Sequence, residues 1–262
     1  MKKIALSVVL LAALGFAEDS PFKTHTELSY VNTSGNTVTE SFALDFMGKK
    51  TWGDHSVQLD VDALYGSENN VENNNKYIIE GNYDYRFVKN FTFNYIANYK
   101  ADKFSGFDYQ WFTGPGAKYI ALEGKVHNLF LQANLLYSED ATMDKFYTAD
   151  PASGGIETEY PYSPVKGPFK VPGDTSGYAG YLAKLDYNWQ ITESFKFIQT
   201  ADYRSDWENS DNYFVNSKTA LESKISDIFS MGLSYKVSYA NLPPEGNERT
   251  DKTFLASLII DY

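Results

Sequence analysis

Asp251-Lys252-Thr253-Phe254-Leu255-Ala256-Ser257-Leu258-Ile259-Ile260-Asp261-Tyr262 closes the sequence, and its reading decides the fold. Phe254, Ala256, Leu258, Ile260 and Tyr262 recur at every second residue. In a strand alternate side chains share a face, so these five form one apolar stripe. Taken alone, the stripe fits two environments equally well. One is the half-buried last strand of a water-soluble β domain, the other a strand with one face against lipid. The sequence around it separates the two.

The same period of two recurs along the chain. It predicts strands over Thr24–Thr33, Val38–Lys49, His55–Gly66, Lys76–Phe87, Phe91–Lys100, Phe107–Ala121, Leu129–Tyr137, Tyr178–Ile191, Phe195–Arg204, Tyr213–Ile225, Phe229–Ala240 and Asp251–Tyr262. Phe229–Ala240 is the clearest, with Phe229, Met231, Leu233, Tyr235, Val237 and Tyr239 against Ser230, Gly232, Ser234, Lys236 and Ser238. Pro115 removes a ladder donor inside Phe107–Ala121 and predicts a bulge or bend there. These runs amount to about twelve strands of roughly ten residues, the length a tilted strand needs to cross a bilayer. The connections alternate. Those near 50–54, 88–90, 122–126, 192–194 and 226–228 are short, and those near 67–75, 101–106, 138–176, 205–212 and 241–250 are mostly longer. Short turns on one side and long loops on the other are the rule for bacterial membrane barrels. Tyr, Phe and Trp gather at strand ends, as interfacial girdles require. The expected fold is therefore all-β: a transmembrane antiparallel up-and-down barrel. Residues 138–176, rich in Pro and Gly, form a long extracellular loop, either mobile or folded into the mouth as a plug or receptor surface.

The N-terminus and composition agree. Lys2 and Lys3 precede the short apolar run Ile4–Phe16, and Gly15-Phe16-Ala17 ends it in small residues, the pattern of a signal peptide cleaved after Ala17. The single barrel domain then spans residues 18–262. Loss of residues 1–17 removes two lysines and no acid, which takes the formal charge from −11 to −13. That excess of acid argues against nucleic acid as a partner. With no Cys there is no disulfide framework and no thiol chemistry. Aromatics make up 16% of residues while mean hydropathy is −0.41, as expected when apolar faces meet lipid and polar faces line an interior.

On the expected inward faces lie the acids Asp60, Asp62, Glu80, Asp84, Asp186, Asp202 and Glu222, with the bases Arg86, Lys100, Lys118, Lys184, Arg204, Lys218, Lys224 and Lys236. They form either a charged constriction that selects small solutes or a network of mutually paired charges filling the lumen. Asp60 and Asp62 also admit a role as paired acid/base carboxylates. His25, His55 and His127 begin strands or abut turns and join no recognisable constellation, and no nucleophile elbow, zinc-protease helix or phosphate loop is present. The pattern asks for no cofactor and no metal. The acidic, Asn-rich outer loops read as solvated, or as sites for divalent cations shared with lipopolysaccharide.

Four blocks in order resemble the salt-induced outer-membrane proteins, a domain family of unknown function. They are Glu27-Leu28-Ser29-Tyr30-Val31-Asn32-Thr33-Ser34-Gly35-Asn36-Thr37, Phe104-Ser105-Gly106-Phe107-Asp108-Tyr109, Leu185-Asp186-Tyr187-Asn188-Trp189-Gln190, and Pro243-Pro244-Glu245-Gly246 through Thr250-Asp251. The segment Ser138–Ser176 is longer than the family pattern. In the last strand Phe254, Leu258, Ile260 and Tyr262 resemble the β-signal read by the outer-membrane barrel-assembly machinery. The resemblance implies an outer-membrane location, contact with membrane lipid and lipopolysaccharide, and a link to salt or osmotic conditions. It carries no catalytic residues. A narrow pore or structural envelope protein is the expected role. The alternative is a lipid or peptide hydrolase at the extracellular rim, which a His beside Ser or Asp there would favour. Solute and oligomeric state are left open by the residues.

Overall fold

The computed structural model describes residues 22–33, 39–158 and 167–262; the expected signal peptide and the Ser34–Thr37 turn lie outside the described residues. Twelve strands close a barrel: β1 (Phe22–Thr33), β2 (Thr39–Trp52), β3 (His55–Glu68), β4 (Val71–Val88), β5 (Phe91–Asp102), β6 (Phe107–Glu123), β7 (His127–Thr142), β11 (Thr175–Gln190), β12 (Phe195–Asp206), β13 (Tyr213–Lys224), β14 (Phe229–Ala240) and β15 (Thr250–Asp261). Each pairs antiparallel with its neighbour in sequence, and β15 closes onto β1. Among the described residues no helix is long and apolar enough to cross a membrane, which says nothing of strands.

The barrel is inverted relative to a soluble one. Leu233, Met231, Phe254 and Leu135 are half exposed or more on the outside, while Asn94, Asn134, Ser138 and Ser234 are buried inside. Rows of outward rings bracket the strands. At the loop end Tyr77, Tyr99 and Tyr109 stack across β4–β6, and Tyr181, Tyr203, Tyr213 and Tyr239 continue around β11–β14. At the end carrying the chain termini, Trp52, His55 and Tyr85 form one cluster and His127, Tyr187 and Trp189 another. Such cross-strand pairs support neighbouring strands at aromatic-rich rims.

Three expectations are corrected. Residues 67–75 are not a loop: β3 and β4 run on to a two-residue turn at Asn69-Asn70, whose φ values are 50° and 64°. Asn tolerates that left-handed backbone, and strands beyond the apolar belt need no alternation. Pro115 produces no bulge. It pairs with Tyr95 in register, and the ladder to β7 merely skips Gly114 and Pro115. The register shifts of β6 fall instead at its two ends, between Phe107 and Tyr109 and between Ile120 and Leu122. Finally, the described residues between β7 and β11 are not wholly irregular: they include a small sheet, β8 (Lys145–Tyr147) between β9 (Glu157–Thr158) and β10 (Phe169–Val171), and a 3-10 turn at Pro151–Ser153.

The seam is short. β1 pairs with β2 along its whole length but with β15 only from His25–Asp261 to Leu28–Leu258, helped by two backbone bonds between Thr24 and Tyr262 and by Ser29 Oγ 2.7 Å from Ser257 Oγ.

Candidate functional site

The candidate site is the interior of the barrel, a cavity of about 910 Å³. Its lining runs from His25, Asp54 and Arg86 at the termini end to Ser105, Pro243 and Arg249 at the loop end. Of the sequence-derived charges, Asp60, Asp62, Glu80, Asp84, Arg86, Lys100, Lys118, Lys184, Asp186, Asp202, Arg204, Lys218 and Lys236 line it. Glu222 is buried just beside it. Lys224 is not in the lining: at the rim of β13, its chain reaches the following turn and pairs with Asp227 at 2.9 Å. That hydrogen bond holds the exposed Asp227 carboxyl below its ordinary value.

Two sets of ion pairs cross the interior as chords. Lys184 on β11 reaches Glu80 on β4 at 2.9 Å, over three intervening strands. Asn82 and Asn98 also donate to Glu80, at 3.0 and 3.1 Å. On the other side Lys236 of β14 reaches Asp62 of β3 and, at 2.7 Å, Asp45 of β2. Beside it Lys218 of β13 bonds Glu27 of β1 and lies 3.3 Å from Asp45. Charges taken out of bulk water are tolerated when paired and further hydrogen-bonded; each of these is paired, Glu80 has two amides besides, and Asp45 has two ammoniums. Between the chords remain Asp60, held by Gln58 Nε2 at 2.9 and 3.0 Å, and Asp202, held by Asn216 Nδ2 at 2.8 Å. These acids are partnered by amides, so their charge is left facing the passage.

The wall under β5, β6, β7 and β11 is filled. Asn94 Nδ2 donates to Asp84 at 2.7 Å, Gln132 and Asn134 donate to Asn94 at 2.9 and 2.8 Å, and Lys118 caps Asp84 at 2.8 Å. Above them Ile96, Leu136 and Leu182 pack with Phe112. Arg204 is sandwiched there, 4.3 Å over the Phe214 ring and 3.2 Å from Asp140, which also accepts from Tyr178 at 2.6 Å and Gln110 at 3.0 Å.

The loop end is covered. Residues 241–249, between β14 and β15, reach the β5–β6 turn six strands away around the ring. Gly106 in that turn has φ +77°, and a Cβ there would strike Asn247 and Pro244. Glu245 also lies 3.6 Å from Lys145 of the small sheet.

Glu27, Asp45, Asp140 and Lys196 are further interior charges, and all but Asp140 fall within the expected strands. Glu27 and Asp45 alternate with Leu28, Leu44 and Phe46, so strand parity alone marks them. Asp140 lies beyond the expected end of its strand, on a β7 that runs to Thr142. Asp60 and Asp62 have separate partners: one rests on Gln58, the other on Lys236. His25, His55 and His127 all lie at the termini end, with His55 bonded to Tyr83 and His127 to Tyr187.

Residues 26–262 match the family described as "Protein of unknown function, DUF481". The uncharacterized protein YdiY of Escherichia coli K12 is 26% identical over 244 residues, which cover 91% of this chain and 82% of that one. Solved structures with a similar course include the translocator domain of the autotransporter NalP from Neisseria meningitidis, at a TM-score of 0.46 and 10% identity, covering all of this chain and 94% of that one. The NanC porin gives 0.43 and 11%, covering 91% and 97%. At such scores these two carry nothing about function.

Proposed function

The chain belongs to the DUF481 family of proteins of unknown function, and from that premise we propose an integral outer-membrane barrel with a narrow, charge-lined and largely occluded passage. Support for the membrane comes from the inverted surface: apolar and aromatic side chains outside, amides and ion pairs within, and ring clusters at both rims. On this reading the outer face contacts lipid and lipopolysaccharide, and the terminal strand carries Phe254, Leu258, Ile260 and Tyr262 outward for the assembly machinery.

The single observation that carries the narrow passage is the pair of chords, Lys184–Glu80 and Lys236–Asp62, with the 241–249 segment above them. A polar lumen so crossed passes small ions weakly if at all, and both signs line it, so selectivity is weak. The salt link implied by the resemblance has a physical counterpart here. Raising ionic strength shortens the screening length from ~8 Å near physiological salt to ~3 Å at 1 M, which weakens charge pairs that water reaches.

Planar-bilayer recording of the refolded protein tests this. The parent is expected to give small or no steady conductance. The Lys184→Ala/Lys236→Ala double variant removes both chords, leaves Glu80 and Asp62 unneutralised and Asp45 with Lys218 alone, and is expected to open larger, cation-preferring steps. Wide, stable and strongly selective openings in the parent would overturn the occluded lumen. An outer-rim hydrolase finds no support, since all three histidines lie at the opposite end.

A further inference from the structure

Deep in the termini end, three potential ligand atoms converge. His25 and Glu27 sit two residues apart on the inner face of β1, and Glu222 faces them from β13. His25 Nε2 lies 3.3 Å from Glu27 Oε1 and 3.9 Å from Glu222 Oε1, and all three atoms fall within 4.8 Å of one another.

Two further observations say that the convergence is aimed at a cation. First, His25 Nδ1 lies 2.7 Å from Asp261 Oδ1 on β15. An ionised carboxylate only accepts, so Nδ1 carries a proton, and it is Nε2 that faces the two glutamates, where a cation can replace a second ring proton. A carboxylate behind a histidine is the usual outer-shell partner of a metal-bound imidazole, fixing both tautomer and ring orientation. Second, Glu222 is 7% exposed, and its Oε1 is buried without a hydrogen-bond partner among the described residues, although Oε2 accepts from Lys196 at 3.1 Å. Glu27 Oε1 already takes Lys218, but the buried orphan oxygen of Glu222 is costly unless positive charge sits beside it.

Nearby ammoniums leave room for it. Lys196 holds the far oxygen of Glu222, and Lys218, which bonds Glu27, already lies 3.3 Å from Asp45 and can shift to it. With Lys218 shifted to Asp45, Glu27, Glu222 and Asp261 against Lys196 leave two net negative charges around His25. We propose that His25, Glu27 and Glu222 form a binding site for a divalent first-row transition metal of zinc type, with Asp261 positioning His25. One imidazole and two carboxylates suit such an ion, and small side-chain rotations bring the three atoms to roughly 2.0–2.2 Å from it. The bound ion would tie β1 to β13 and, through Asp261, to β15, across the short closing seam.

Zinc alone is the probe, added at micromolar concentration and neutral pH to full-length mature protein refolded in detergent. Metal analysis after equilibrium dialysis gives the stoichiometry, X-ray absorption the ligands, and heat-modifiable gel mobility the fold. The expected result is one zinc per chain with one nitrogen and otherwise oxygen neighbours. Binding is lost in His25→Gln and Glu222→Gln, unchanged in Asp202→Asn, and weakened by about 10–100-fold in Asp261→Asn. The last variant keeps the test decisive should a ligand variant fail to fold. The inference is overturned if the parent binds no stoichiometric zinc, because a proton on His25 then suffices. It is equally overturned if zinc binds but survives the ligand substitutions, because the ion then sits on other carboxylates.

Discussion

Leu233→Arg puts the inverted barrel to its sharpest test. Leu233 is 50% exposed on the outer face of β14, between Leu221 of β13 and Ala256 of β15, and lies mid-stripe between Phe229 and Tyr239. If that face meets hydrocarbon, a guanidinium there must reach toward the headgroups or draw water inward. That costs ~2–4 kcal/mol near the midplane. At ~1.4 kcal/mol per decade this is roughly a 30- to 700-fold shift in the folding equilibrium. The comparison needs an arginine on the inner face. Ser234, the adjacent residue, does not serve: it is 2% exposed, and a long side chain would overpack it. Asn188 does. It stands on the same rung as Ser234, through Ile198 and Ala220, lines the cavity, and has Asp186 beside it on the same face. Urea titrations of protein folded into lipid vesicles, followed by tryptophan fluorescence, are expected to show Leu233→Arg far more destabilised than Asn188→Arg. A second arm excludes a packed soluble core: Leu233→Phe, Tyr235→Leu and Val237→Leu should be nearly neutral against fluid lipid, whereas close packing makes such changes cost ~1–3 kcal/mol. Equal tolerance of the two arginines, or strong destabilisation by the apolar swaps, would refute the lipid-facing stripe.

Gly106→Val forces a β-branched residue into a left-handed backbone, at roughly 1–2 kcal/mol, and drives a side chain into Asn247 and Pro244. The 241–249 segment is expected to lift, seen as faster proteolysis within it and larger bilayer conductance than the parent; unchanged values would mean that it does not cover the mouth. Protease added to intact cells should cut between Met143 and Asp174 and spare Val88–Asn90, and the reverse pattern would invert the topology.

The twelve strands are legible because a membrane barrel writes its environment at every second residue. Phe229–Ala240 is bounded identically by sequence and structure, since its outer stripe is unbroken and its inner face small and polar. Legibility fails where the outer face leaves the apolar belt. Val71 to Asn75 carries no alternation, yet its backbone goes on pairing with β3, because ladder bonds need no particular side chain. The small sheet fails differently: strands of two or three residues are too short for alternation to show, which takes about four residues or more.

The interior divides along a different line. Parity tells which residues face inward, because it depends on one strand at a time. It cannot tell which of them meet, because that depends on closure. Lys184 and Glu80 stand 104 residues apart, and Lys236 and Asp62 are 174 apart. The first contact spans five strands of the curved sheet, and the second crosses the seam where β1 meets β15. His25 makes the point most sharply. Beside Thr24 and Thr26 it reads as a polar strand-end histidine, yet closure delivers Asp261 to one ring nitrogen and Glu222 toward the other. A side chain with one strong acceptor behind it and two carboxylate oxygens ahead is no longer a generic rim residue. Its three partners come from β1, β13 and β15, so any cation held there stabilises the closed ring over an opened one. The seam with the fewest ladder pairs therefore adjoins the proposed cation site, which is why occupancy of that site and stability of the closure should rise and fall together.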